Sequence, residues 1–141
     1  MNRFVLDASL SMAWFVPDPE WEYATQVRGH LAAEATALVP AIWPVEMANA
    51  LTKAVRRGTI TDEEADRGLS QLAILIISGP RIAIDPHFQP VWKAYAVARK
   101  HQVSAYDGCY LQLALDQGLP LATLDKGLRV AAGKAGVKLL K

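Results

Sequence analysis

The chain alternates between short, nearly unbroken apolar runs and longer stretches in which apolar residues return every three to four positions. Runs at Phe4 to Leu6, Ala37 to Val39, Arg81 to Ile84, Leu121 to Thr123 and Val137 to Leu140 are partly β-branched and read as strands. Helical periodicity covers Ser9 to Val16, Trp21 to Ala35, Pro44 to Arg57, Thr61 to Ile77, Pro90 to His101, Ala105 to Gln117 and Lys126 to Ala135. Boundary residues agree with this division. Pro44 suits a first helical position, Gly58 a C-terminal stop, and "TDEE" from Thr61 to Glu64 a capping box. "QGLPL" at 117 to 121 ends a helix and starts a strand. Strands separated by helices require crossover connections, which predicts an α/β fold: a mainly parallel sheet with helices on both faces. Ligands in such sheets bind at the carboxyl ends of the strands, near the topological switch point.

No repeat, low-complexity tract or linker divides the 141 residues, so one domain spanning 1–141 is expected. Composition adds that the chain is globular: 52% apolar and 21% charged residues argue against disorder. A net charge of +1 excludes a whole-chain polyelectrolyte footprint. The residues from Lys126 onward are nonetheless one-sided, with Lys126, Arg129, Lys134, Lys138 and Lys141 and no acid. That run reads equally as a solvated helix face and tail or as steering for a phosphate backbone. Cys109 is the single cysteine, so no internal disulfide forms and a reducing compartment is expected. The longest aliphatic run, "LAILII" from Leu72 to Ile77, falls far short of the roughly 20 residues a spanning helix needs. Asp7, Ser9 and Ser11 interrupt the first apolar segment, which makes it a poor secretory signal. The expectation is a soluble cytoplasmic protein without membrane contact.

Four acids fall where the chemistry is sought. Asp7 follows the first strand, Asp125 follows the strand at 121 to 123, Glu46 opens the helix after the second strand, and Asp107 opens a helix after "HQVS". Each has a structural explanation as well, because carboxylates are favoured at helix N-termini. Asp7 suits the cap of the helix from Ser9, Asp125 that of the helix from Lys126, and Asp107 sits three residues after Ser104 in a near capping box. Asp107 weakens its own structural explanation, since at 100° per residue it lines up with Leu111 and Ala114 on the buried stripe. A carboxylate there wants a cation or holds a proton. Glu46 is the reverse case: its helix buries Pro44, Met47, Ala48, Leu51 and Val55, and Glu46 falls on the opposite, solvated side with Lys53. Several acids at one sheet edge, without basic residues in the same motifs, repel one another, and a divalent cation resolves this. All-oxygen ligation selects Mg²⁺ or Mn²⁺ over zinc and suits phosphoryl chemistry.

Other constellations are weak. His30, His87 and His101 lack metal-site spacing, and there is no phosphate-binding glycine loop or nucleophile elbow. Trp14, Trp21, Trp43 and Trp92 read as core or interface anchors before base-stacking platforms. "LAILII" fits a partner interface and a buried core helix equally well.

The motifs "VLDAS" with the following "AWF", "PVEMANAL" at 44 to 51, "SAYDGCYLQLAL" at 104 to 115 and "LATLDKGL" at 121 to 128 together resemble a PIN domain, more closely the VapC-type toxins of toxin-antitoxin modules. The similarity covers essentially the whole chain. It implies a parallel five-stranded sheet and a Mg²⁺- or Mn²⁺-dependent endoribonuclease that forms a homodimer and is inhibited by a small cognate antitoxin. Carried over motif by motif, the acidic metal ligands would be Asp7, Glu46, Asp107 and Asp125, which overrides the solvated reading of Glu46. Ser9 and Thr123 match supporting hydroxyl positions, and Asn49 matches the amide one turn after the glutamate. In the mechanism this implies, Asp7, Glu46 and Asp107 hold the ion directly or through its waters. Asp125 tunes it or positions the water that displaces the 3′-oxygen of an RNA phosphodiester and leaves a 5′-phosphate. Lys126 and Arg129 are candidates for holding the RNA backbone. Gly108 departs from the family, where alanine often follows the aspartate. Two rivals use acids at the same edge. A phosphatase of the haloacid dehalogenase class needs a second acid where this chain has Ser9, and a receiver-like binding module would bind metal without cleaving RNA.

Overall fold

The computed structural model describes residues 2–16, 19–79, 81–86 and 91–141. Four strands, β1 (Arg3–Leu6), β2 (Thr36–Val39), β3 (Ile82–Ile84) and β4 (Leu121–Ala122), form one sheet in the order β3-β2-β1-β4. Every pairing is parallel, with Phe4 opposite Ala37, Ala37 opposite Ile82, and Val5 opposite Leu121. Phe4, Val5 and Leu6 are buried without alternation, as are Ala37 to Val39. Helices over both faces of a parallel sheet explain why these strands read as continuous apolar runs.

Seven helices accompany the sheet among the described residues: α1 (Ala8–Met12), α2 (Trp21–Ala32), α3 (Trp43–Arg56), α4 (Asp62–Ser78), α5 (Val91–His101), α6 (Ala105–Gln117) and α7 (Lys126–Ala135). None is long and apolar enough to cross a membrane. The predicted start at Pro90, like His87, lies outside the described residues. From β1 the chain steps outward to β2 and β3, then returns past β1 to β4. The gap between β1 and β4 is therefore the topological switch point, where a ligand crevice is expected.

Three expectations are corrected. The sheet has four strands among the described residues, not five. The fifth segment, Val137 to Leu140, pairs through an isolated parallel bridge of Leu139 with Leu121. β4 is only two residues long, so Leu121 supplies most of what that segment can reach: its N–H donates to Lys138 O at 2.9 Å and its carbonyl accepts from Leu140 N at 2.9 Å. The first helix runs over Ala8–Met12 and then passes into a turn, shorter than Ser9 to Val16. The second ends at Ala32, because Glu34 takes the left-handed conformation (φ 73°), which a continuing helix does not allow.

Caps follow the sequence closely. Thr61 Oγ1 accepts from Glu64 N at 3.1 Å and donates to Glu64 Oε1 at 3.2 Å. Beyond α3, Gly58 (φ 71°) donates to Val55 O and Thr59 to Ala54 O at 2.9 and 3.0 Å, the paired bonds of a Schellman stop. Trp43 is wholly buried at the start of α3. Its Nε1–H donates to Ser11 Oγ at 3.1 Å, and Ser11, itself fully buried, donates to Met47 Sδ at 3.1 Å. This contact ties the first turn of α3, which carries Glu46, to α1 beside Asp7. Ser11→Ala leaves the indole N–H unpaired, and urea denaturation should show a loss of about 1–3 kcal/mol. Of the other tryptophans, Trp14 is half-buried and donates to Ala24 O at 2.8 Å, while Trp21 and Trp92 are exposed.

α5 and α6 approach unusually closely at Gly108. A Cβ there would fall 2.6 Å from Ala94 O and 3.2 Å from Ala98 Cβ, so only glycine fits this contact as it stands.

Candidate functional site

The chain's return to β4 brings the ends of β1 and β4 together, and a hydroxyl network closes the gap. Asp7, 3% exposed, directly follows β1 and continues the ladder by donating its N–H to Ala122 O at 2.9 Å. Asp7 Oδ2 accepts from Ser9 Oγ at 2.5 Å and from Thr123 Oγ1 at 2.7 Å. Thr123 Oγ1 also accepts from Asp125 N at 3.0 Å, and Ser9 Oγ accepts from Leu124 N at 3.1 Å. Ser9 and Thr123 are thus joined to Asp7 and to the loop that leads into α7. Asp7 occupies the N-cap position of α1, but its side chain makes no cap bond there and is committed to the hydroxyls. Asp125 does cap its helix, with Oδ1 accepting from Leu128 N at 2.7 Å while its side chain remains exposed.

Asp107 enters from the first turn of α6, whose N-cap Ser104 accepts from Asp107 N at 3.1 Å. The carboxyl is half-buried, as its helical stripe predicts. Burial pushes its pKa up to about 7, and the charges of Asp7, Asp125 and Glu46 add to the rise, against hydrogen bonding with Ser104. Glu46 is half-buried too and accepts from Tyr110 Oη at 2.7 Å. The solvated reading from the helical wheel fails because the wheel shows only the faces of α3 itself, whereas Tyr110 reaches Glu46 from α6. Burial raises the Glu46 carboxyl, the Tyr110 hydrogen bond lowers it, and the charge of Asp7 raises it again. Asp7 is raised chiefly by burial, opposed by Ser9 and Thr123 and reinforced by Asp125. The charges of Asp7, Asp125 and Glu46 thus all act on Asp107, and among the described residues none of the four acids is ion-paired to Lys or Arg.

Tyr110 is the residue that the motifs contained but sequence reasoning did not single out. It lies three residues after Asp107, on the same helical stripe, and that spacing was the available signal. Burial and the charges of Asp7 and Glu46 hold its phenol well above the ordinary value, so it stays a donor to Glu46. Tyr110→Phe should raise the titration midpoint of the Glu46 carboxyl, read by carbon-13 NMR across pH 4 to 8. An unmoved midpoint would mean that the bond does not set the charge of Glu46.

The remaining candidates divide. Asn49 is exposed and lines an open groove with Ser9, Met12, Glu46 and Lys53. Lys126 is exposed at the start of α7. Arg129 is committed elsewhere, with Nη1 3.5 Å from Glu20 Oε2 and the guanidinium stacked 4.9 Å from the centre of the Tyr23 ring.

Chemically, the donor set is all oxygen, mutually repelling and without a protein cation, which fits a hard divalent ion. As placed, no three such ligands among the described residues converge into a closed cage. That arrangement still fits Mg²⁺, which keeps several waters and is held by one or two carboxylates directly.

A parallel sheet in this order with four acids around its switch point defines a class, and the family model described as PIN domain matches residues 4–134. The chain belongs to the PIN domain family. Ribonuclease VapC3 of Pyrobaculum aerophilum is 33% identical to it over 126 residues, 89% of this chain and 92% of that protein. Among solved structures, VapBC2 from Rickettsia felis bound to a DNA fragment from their promoter superposes with a TM-score of 0.65 at 13% identity, covering 99% of this chain and 97% of that one. FitAcB from Neisseria gonorrhoeae superposes with a TM-score of 0.61 at 20% identity, covering 98% and 96%. At these identities the two structures speak for the fold alone.

Proposed function

We propose that the chain acts as one nuclease domain over 1–141: a Mg²⁺- or Mn²⁺-dependent endoribonuclease, the cytoplasmic toxin of a toxin-antitoxin pair, held in check by a small antitoxin and working as a homodimer. The observation that carries the reading is the meeting of Asp7, Glu46, Asp107 and Asp125 without an ion-pairing Lys or Arg among the described residues. A relative 33% identical and named a ribonuclease gives the chemistry its substrate. The exposed apolar residues Leu69, Ile74 and Ile77 on α4 and Val91, Trp92 and Tyr95 on α5 support assembly with other chains.

Asp7, Glu46 and Asp107 are the residues that would hold the ion, directly or through its waters, with Asp125 tuning it or orienting the attacking water. Bound there, such an ion activates water and neutralises charge developing on the phosphate. The chain's own part is to keep these groups in place. Ser9 and Thr123 hold Asp7 Oδ2 by two donated bonds, which fix the orientation of that carboxylate. Tyr110 fixes Glu46 and favours its ionised form. Asp125 spends one oxygen on the cap of α7 and keeps the other available. The phosphatase alternative loses ground here, because Ser9 binds the very carboxylate that would have to attack phosphorus.

Purified protein incubated with labelled RNA should cleave it with Mg²⁺ or Mn²⁺, stop on EDTA and resume when metal is restored. Metal binding without cleavage would favour the receiver-like module. Undiminished cleavage in EDTA would remove metal from the mechanism.

A further inference from the structure

Along α3, Glu46, Ala50, Lys53 and Arg57 recur every three to four residues and so lie on one stripe of the helix. Two adjoining grooves run beside that stripe. One, of about 270 Å³, is lined by Ser9, Met12, Glu46, Asn49 and Lys53; the next, of about 340 Å³, by Ser9, Met12, Val16, Lys53 and Arg57. Sharing Ser9, Met12, Ala50 and Lys53, they form one open trough between α1 and α3. It starts at Glu46, one of the four acids, and ends about 16 Å away at Arg57, taking 1.5 Å of rise per residue. Its floor of Met12, Ala13, Val16, Ala50 and Ala54 is apolar, and its far rim is cationic.

Resting on the nuclease reading above, we propose that single-stranded RNA leaves the cleavage site along this trough, with Lys53 and Arg57 holding consecutive stretches of its backbone. Both side chains are exposed, and among the described residues neither is ion-paired, unlike Arg81 and Arg129. The Schellman stop at Gly58 and Thr59 fixes the backbone that carries Arg57. Basic residues near a helix C-terminus also complement its dipole. Dipole complementarity, however, does not require two of them to line the trough that holds Glu46. Charge decides the occupant. The cationic far end accepts a polyanion, the acid end would accept it once its charge were offset by a divalent ion, and the apolar floor accepts its bases and riboses. An apolar or basic peptide would leave Lys53 and Arg57 unmatched. This path also replaces Arg129, which Glu20 and Tyr23 hold, as the main backbone contact.

The test is fluorescence anisotropy with a labelled, mixed-sequence single-stranded RNA, using Asp7→Asn protein so that nothing is cut. Lys53→Gln with Arg57→Gln should weaken binding about tenfold and lower the slope of log affinity against log salt by about 1.4, two phosphate contacts at ~0.7 each. Arg28→Gln with Lys100→Gln, the same charge change on exposed residues of α2 and α5, should weaken it less than threefold. With Asp7 intact, the trough pair should raise KM and leave kcat within twofold. Equal losses from both pairs, or no loss from the trough pair, would overturn the proposal while leaving the nuclease reading standing. So would intact RNA binding combined with loss of a co-expressed protein partner, which would make the trough a protein interface. Wild-type protein that neither binds nor cuts RNA would overturn both.

Discussion

Asp7→Asn should abolish RNA cleavage, by at least about a hundredfold in single-turnover assays at saturating metal, while the protein should stay folded with a Tm equal to or above wild type. The two halves of this result come from the same environment. Asp7 is nearly inaccessible, and burial together with the charge of Asp125 makes its ionised form unfavourable in the metal-free fold. An amide of the same shape removes that charge, and its oxygen still accepts from Ser9 or Thr123. Stability therefore has no reason to fall, whereas the proposed ligand of the cation is gone. Losing even a group that only supports a metal ligand costs 10–100-fold, and losing a preorganised electrostatic group costs 10²–10³. Retained cleavage would remove Asp7 from the chemistry. Lost cleavage with a large drop in Tm would assign it a structural role instead.

Metal should stabilise the protein far more at pH 8 than at pH 5.5, and Asp107 is the reason. Burial and the neighbouring acids hold its folded pKa at about 7, above the ordinary aspartate value of 3.8. A group raised in this way favours the fold fully below 3.8 and loses that contribution as pH climbs through 7. The metal-free protein is thus penalised at pH 8 by a carboxylate it cannot neutralise, and a divalent cation relieves the penalty. Proton competition at a single group with a pKa of about 7 weakens metal binding about thirtyfold between pH 8 and 5.5. Metal at roughly 100 times its pH 8 dissociation constant contributes about 2.7 kcal/mol at pH 8 and about 0.9 kcal/mol at pH 5.5. For a chain of this size those figures correspond to roughly 8–11 °C and about 3 °C in Tm. Asp107→Asn should raise the metal-free Tm at pH 8 and leave little for metal to add. Thermal scans with equal metal-induced shifts at the two pH values would show that Asp107 does not titrate in this range.

Much of this was readable from residues alone, and the misses share a cause. Helix ends were legible because Thr61, Ser104 and Asp125 satisfy backbone groups within three residues of themselves. Asp107 was legible because its burial follows from the stripe of its own helix. Glu46 was not, since its surroundings come from Tyr110, 64 residues away, and periodicity reports only the helix's own inside and outside. The fifth strand was overcounted for a related reason: an apolar segment becomes a strand only as far as its neighbour can pair, and β4 offers two residues. Arg129 looked available beside Lys126 because nothing local announces Glu20 or Tyr23, which lie about a hundred positions earlier in the chain.

The glycine after Asp107 sets how near α5 can lie to the helix that carries that acid. Replacing Gly108 with alanine would set a methyl carbon 2.6 Å from Ala94 O. That oxygen belongs to the backbone, so no side-chain change at position 94 makes room. The substitution is tolerable only if α5 as a whole moves outward. The residue at 108 and the distance between α5 and α6 are thus a single property of the fold, and neither changes without the other. An alanine introduced at 108 alone would push on the helix turn that presents Asp107.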